Sequence, residues 1–97
     1  SNTNLNHSFI VQGNLKGANL NNAKLMQSNL QETNLTGANL SNAFLHNAFL
    51  SLANLQNANL KNARLYQANL GGAKLDGANL EGTVFQAAVM PDYKTHP

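Results

Sequence analysis

Four carboxylates (Glu32, Asp76, Glu81, Asp92), three histidines (His7, His46, His96) and several serines are the side chains of this chain with acid–base, metal-binding or nucleophilic chemistry to offer. A general acid and base need two carboxylates facing each other across a substrate. A metal site needs ligands converging on one point, and a serine nucleophile needs a base within hydrogen-bond reach. Gly71-Gly72 has the backbone freedom of a phosphate loop but lacks the sequence context of one. A different chemistry is held by Lys24, Met26, Phe44, His46, Phe49, Leu52, Arg64 and Tyr66, where cations mix with aromatic and apolar side chains as they do in protein-binding surfaces. How the chain coils decides which of these groups can meet.

A large apolar residue stands at every fifth position from Leu5 to Met90: fifteen Leu, with Ile10, Phe85 and Met90 as substitutes among eighteen positions. Two residues before each is a small one, twelve times Ala and otherwise Thr3, Ser8, Gly13, Ser28, Thr33 and Thr83. The residue between them is Asn ten times. Five steps of about 100° move such a stripe about 140° round a helix, which scatters it over the cylinder. A flat strand fails as well, because alternation with period two sends residues five apart to opposite faces. The pattern predicts short extended pieces, each turning its small residue and its Leu inward and ending in a corner, so that the chain coils on itself.

The number of sides is read from the eight intermediate positions that are not Asn: Phe9, Lys24, Phe44, Phe49, Arg64, Lys74, Val84 and Val89. If residues twenty apart stack, four of the eight fall in the column of Asn4 and three in the column of Phe9, with none in the column Asn19, Asn39, Asn59, Asn79. Stacking at fifteen spreads them three, three and two. Four sides fit better, and the corner columns Asn22, Asn42, Asn62 and Gly17, Gly37, Gly77 agree. Stacked Asn side chains are expected to hydrogen-bond along the rod as ladders.

Segments such as Ala38-Asn39-Leu40-Ser41-Asn42 and Ala58-Asn59-Leu60-Lys61-Asn62 closely resemble the A(N/D)LXX unit of the pentapeptide repeat family. The resemblance implies an all-β fold, a right-handed quadrilateral parallel β-helix. Its eighteen units at four per coil make about 4.5 coils, a rod on the order of 20 Å long. One domain spans residues 1–97, with repeats over about 3–90 and a tail, 91–97, that leaves the repeat at Pro91 and is expected to fold over the last coil. Val89-Met90-Pro91-Asp92 resembles the ending of many cyanobacterial members. The abrupt start at Ser1, Asn2 and Thr3 suggests a processed product or a module excised from a longer protein, and a further segment, a second copy or a partner is expected at that end.

On the twenty-residue register Glu32, Asp76 and Glu81 fall in three different columns and Asp92 lies in the tail. His7 and His46 share a side but sit two coils, about 10 Å, apart. No catalytic residues, cofactor or metal are therefore expected, and no enzyme. Low charge, a net charge of +2 and no Cys exclude a disulfide framework and give no electrostatic footprint for nucleic acid or a membrane. Lys16, Lys24, Lys61, Arg64 and Lys74 spread over three sides.

What remains is surface. The side of Asn4 carries Lys24 with Met26, Phe44 with His46 and Arg64 with Tyr66, and Phe49 and Leu52 lie around the corner. Phe44 between Lys24 and Arg64 is placed for cation–π contacts. This composition suits a non-catalytic interaction or scaffold module whose partner is another protein or a second copy, met through that face or through the uncapped N-terminal end. The alternative implied by the family, a rod that mimics DNA toward gyrase or another topoisomerase, is opposed by the positive charge, the short rod and the absence of Asp between the small residue and Leu. The compartment stays open between cytoplasm, thylakoid lumen and periplasm.

Overall fold

A computed structural model describes residues 3–97. Ser1 and Asn2 of the abrupt start lie outside the described residues. Residues twenty apart pair in parallel along the chain, from Asn4 with Lys24 to Asn69 with Val89. Four five-residue units fill each interval, so the chain has four sides. Side 1 carries the units beginning at residues 3, 23, 43, 63 and 83, and side 2 those at 8, 28, 48, 68 and 88. Side 3 carries those at 13, 33, 53 and 73, and side 4 those at 18, 38, 58 and 78. Each side contributes one bridged residue per coil, the one between the small residue and the Leu.

Backbone hydrogen bonding explains why the unit has five residues. In a typical unit the apolar residue donates to the next coil, as Leu25 N–H does to Phe44 C=O at 2.7 Å. The second residue after it does the same, Gln27 N–H to His46 C=O at 2.9 Å. The bridged residue donates to the previous coil, Phe44 N–H to Ala23 C=O at 2.9 Å. The small residue closes the corner, Ala23 N–H to Leu20 C=O at 3.0 Å. One N–H per unit is left, on the residue after the Leu, and a buried or half-buried donor must find an acceptor.

That remaining donor is what the asparagines serve. All ten Asn at the bridged position accept, through Oδ1, from the N–H two residues on, at 2.9–3.2 Å: Asn19 from Asn21, Asn39 from Ser41, Asn59 from Lys61, Asn79 from Glu81 and so on. The expected ladder is thus corrected for the side-chain oxygen, which turns back onto its own unit. The local bond wins because the short Asn side chain reaches the i+2 amide as in an Asx turn.

Each corner is a β-turn whose third residue, every fifth from His7 to Ala87, has φ between 58° and 73°, the type II pattern. Gly and Asn suit that conformation and occupy every corner of sides 3 and 4. Leu52, at φ 60° and 56% exposed, does not suit it. Leu52→Asn is expected to raise stability by about 1 kcal/mol, a few degrees in Tm. A fall in Tm would mean that the packing of Leu52 beside Gly72, where Tyr93 also lies, outweighs the strain.

The core is the stacked inward columns. Leu25 to Leu70, every fifth residue, are fully buried, as are Ala38, Ala43, Ala53, Ala58 and Ala63 between them. Ser28 and Thr33 stand in small-residue positions, and their buried hydroxyls donate to the carbonyls of Leu25 and Ile10, so neither is left unsatisfied. Toward the ends the columns open: Leu5, Ile10, Leu15 and Leu75 are only partly buried, and Leu80 is exposed. The tail reverses direction and runs antiparallel to the last unit, with Val89 bridged to Thr95 and His96 N–H donating to Ala88 C=O at 2.8 Å. The ring of His96 lies 5.9 Å from that of Phe85. Pro91 occupies the one register position in the unit whose N–H the coil does not use.

Candidate protein-interaction face

Side 1 assembles two adjacent columns. Lys24, Phe44 and Arg64 are joined by parallel bridges, and Met26, His46 and Tyr66 follow two residues on. The twenty-residue register therefore brings six of the eight sequence-selected residues onto one side. Phe49 lies in the bridged column of side 2, paired with Asn29 and Asn69, and Leu52 sits at the far corner of that side. Phe9, 78% exposed, shares the Phe49 column and was not selected from sequence. Its signal was its place among the non-Asn residues of that column.

On side 1 the rings pack on one another. His46 stacks on Tyr66 with centroids 5.0 Å apart and 21° between planes, and Phe44 lies 6.5 Å from His46 at 15°. The Arg64 guanidinium sits over Phe44 at 4.8 Å from the ring centre. Of the two cations expected there, it is Arg64 that makes the cation–π contact. Such a contact restrains Phe44 and Arg64 against the rod.

His46 has a buried Nδ1 with no hydrogen-bond partner. Burial, and then the neighbouring Arg64 charge, hold its pKa below the ordinary 6.5. The folded state thus binds the proton less well than the unfolded chain. The resulting stability is complete above about pH 6.5 and is lost as pH falls through the folded-state value. Besides Arg64, the polar or charged groups nearest in register on this side are Lys24 one coil away and Tyr66 on the next. His46→Phe, which keeps a ring in the stack, is expected to lose less Tm than the wild type between pH 7.5 and pH 5. An unchanged difference would assign the acid sensitivity to another group.

The four carboxylates lie off side 1, each with a partner. Glu32 accepts from Gln12 at 3.1 Å, Asp76 from Gln56 at 3.3 Å, and Asp92 from the Lys94 N–H at 3.0 Å. Glu81 pairs with Lys61 at 3.8 Å, both exposed, a contact worth little in water. Among the described residues no group of three His, Cys, Asp or Glu is placed to hold a metal, and no pocket is formed. Among the described residues no helix is long and apolar enough to cross a membrane.

A family model, pentapeptide repeats, matches residues 1–37, 33–72 and 63–91. Solved structures agree. A pentapeptide repeat protein of Nostoc PCC 7120, alr5209, is 36% identical with a TM-score of 0.78, over 90% of this chain and 68% of that one. Rfr23 of Cyanothece 51142, another pentapeptide repeat protein, is 38% identical with a TM-score of 0.65, over 92% and 64%. HetL of Nostoc PCC 7120, a pentapeptide repeat protein involved in heterocyst differentiation regulation, is 34% identical with a TM-score of 0.56, over 96% and 51%. This chain thus spans between half and about two thirds of their lengths. No curated protein sequence matches it. With its whole repeat region matched by the family model and its coils superposing on those structures, the chain belongs to the pentapeptide repeat family.

Proposed function

We propose that this chain is a non-catalytic interaction module, a single domain forming a right-handed four-sided rod of about 4.5 coils that docks a protein partner on side 1. The observation that carries the reading is the ordered array Arg64–Phe44–His46–Tyr66, outward-facing on a rod whose other bridged positions are mostly Asn. Aromatic and Arg side chains held on a rigid scaffold are the anchors of protein interfaces. Phe49 and Leu52 extend the contact round the corner. The involvement of HetL in regulation, at 34% identity, supports a role exercised through partners. The DNA-mimic reading finds no support in the surface charge, since side 1 carries two cations and no carboxylate.

Tagged protein incubated with a lysate of the source organism tests this. Phe44→Ala with Tyr66→Ala is expected to weaken partner capture by at least about thirtyfold, the effect of losing one anchor of about 2 kcal/mol. Lys61→Ala on side 4 is expected to leave it unchanged. Equal capture by the two variants would dispose of side 1 as the docking face. Light scattering across a concentration series, on the wild type and on Phe44→Ala, Phe49→Ala, Tyr66→Ala, separates self-association from a different partner. A dimer lost in the variant would assign the face to a second copy.

A further inference from the structure

The rule that a bridged Asn caps the spare N–H of its unit makes the exceptions informative. On side 1 four successive coils replace that Asn by Lys24, Phe44, Arg64 and Val84. The N–H of Met26 is taken by Asn6 Oδ1 from the coil before, at 2.9 Å. Those of His46, Tyr66 and Gln86 have no acceptor among the described residues. At this position of the unit the other uncapped donors are isolated: Val11 and Ser51 on side 2 are two coils apart, and Asp76 is the one on side 3. The N–H groups of Leu75, Gly77, Leu80, Gly82 and Phe85 also lack an acceptor among the described residues, but at positions whose equivalents one coil earlier donate to the following coil. Among the described residues side 1 alone stacks uncapped donors of the capped position in successive coils, spaced about 4.8 Å apart by the coil rise.

These donors lie among Lys24 and Arg64, and the molecule's own carboxylates are on other sides or in the tail. Two copies meeting through side 1 would bring four cations together with no acid between them, which disfavours pairing with itself. Unpaired amides flanked by cations favour an anionic acceptor, and charge-assisted hydrogen bonds from backbone N–H to carboxylate are the strong kind.

We infer that side 1 receives an acidic segment of a partner protein, whose Asp or Glu carboxylates replace the missing asparagine oxygens at the His46 and Tyr66 N–H groups while an apolar side chain lies against the aromatic array. The inference rests on side 1 being the docking face and adds the chemistry of what docks. Arg64 then serves twice, holding Phe44 and attracting the acid.

Proton–nitrogen correlation spectra of the full chain read it directly. Three short blocked peptides serve as probes, each with a central phenylalanine flanked by aspartate, by asparagine or by lysine. The aspartate peptide is expected to move the His46 and Tyr66 amides downfield and to bind at least tenfold more tightly than the asparagine peptide, an advantage that shrinks as salt rises. Phe44→Asn with Arg64→Asn restores the internal cap using the residue this position prefers. That variant is expected to keep a dispersed spectrum and lose the response. Arg64→Gln leaves the amides bare and should weaken binding severalfold with the same two amides still shifting. Equal binding of the asparagine or lysine peptide to side 1 would overturn the acidic assignment and leave side 1 a docking face. An aspartate peptide that leaves the His46 and Tyr66 amides in place would overturn it too, and the capture experiment then decides the docking face independently.

Discussion

Leu45→Ala should cost about 2–5 kcal/mol, a large part of the stability of a domain this size. Leu45 is fully buried in side 1, stacked between Leu25 and Leu65, which are equally buried. Truncation removes three carbons' worth of burial and leaves a void that neither neighbour can fill, since each is held in its own coil by backbone bonds to the coils above and below. Leu5→Ala, the same change at the partly buried end of the same column, should cost less than half as much. Urea unfolding of both variants, read as the shift in midpoint at constant slope, measures the difference. Equal costs would contradict a stack whose core is tight in the middle and open at the end.

Ala58→Leu tests the opposite failure. Ala58 is 1% exposed on side 4 and faces the interior beside Leu60, itself 1% exposed. The added carbons have no free volume to enter, and the coil's backbone hydrogen bonds to the coils on both sides resist widening. Overpacking of this kind costs typically about 1–3 kcal/mol, and this site belongs at the upper end because every side is constrained. Ala18→Leu, on the same side near the open end and only partly buried, should be tolerated far better. Thermal unfolding monitored by circular dichroism distinguishes the two. A mild effect at Ala58 would show that the coil can swell, and the small-residue column would lose its steric explanation.

The two substitutions also separate what holds the rod together from what it presents. Inward positions repeat with little variation, so their effects depend on depth along the stack. Outward positions vary, and on side 1 their variation is concentrated. Two of the residues of that side that would anchor a partner, Phe44 and Arg64, stand where an asparagine would cap the unit, so the face gives up an internal hydrogen bond in each of their coils. Losing the cap leaves a backbone donor that water or a partner must satisfy. That is a reason for side 1 to differ from side 4, where Asn19, Asn39, Asn59 and Asn79 complete every unit internally.

Burial in a solenoid is periodic along the chain, so the sequence by itself determined the five-residue unit, the inward Leu and small residues, and, through the clustering of the non-Asn positions, the twenty-residue register that gathers Lys24, Phe44 and Arg64. What an outward side chain touches does not follow from that period, because it depends on neighbours twenty residues away and on which backbone donors the coil leaves free. Only the tertiary structure decided that Asn Oδ1 turns back to its own unit, that Arg64 covers Phe44, and that His46 stacks on Tyr66 with its Nδ1 unpartnered. It also placed Leu52 at a left-handed corner beside Tyr93. The first set follows from removing apolar area from water, a property each residue carries with it, and the second from hydrogen-bond and ring geometry, which is set by the donors the coil leaves unused and by the rings that stacking brings together.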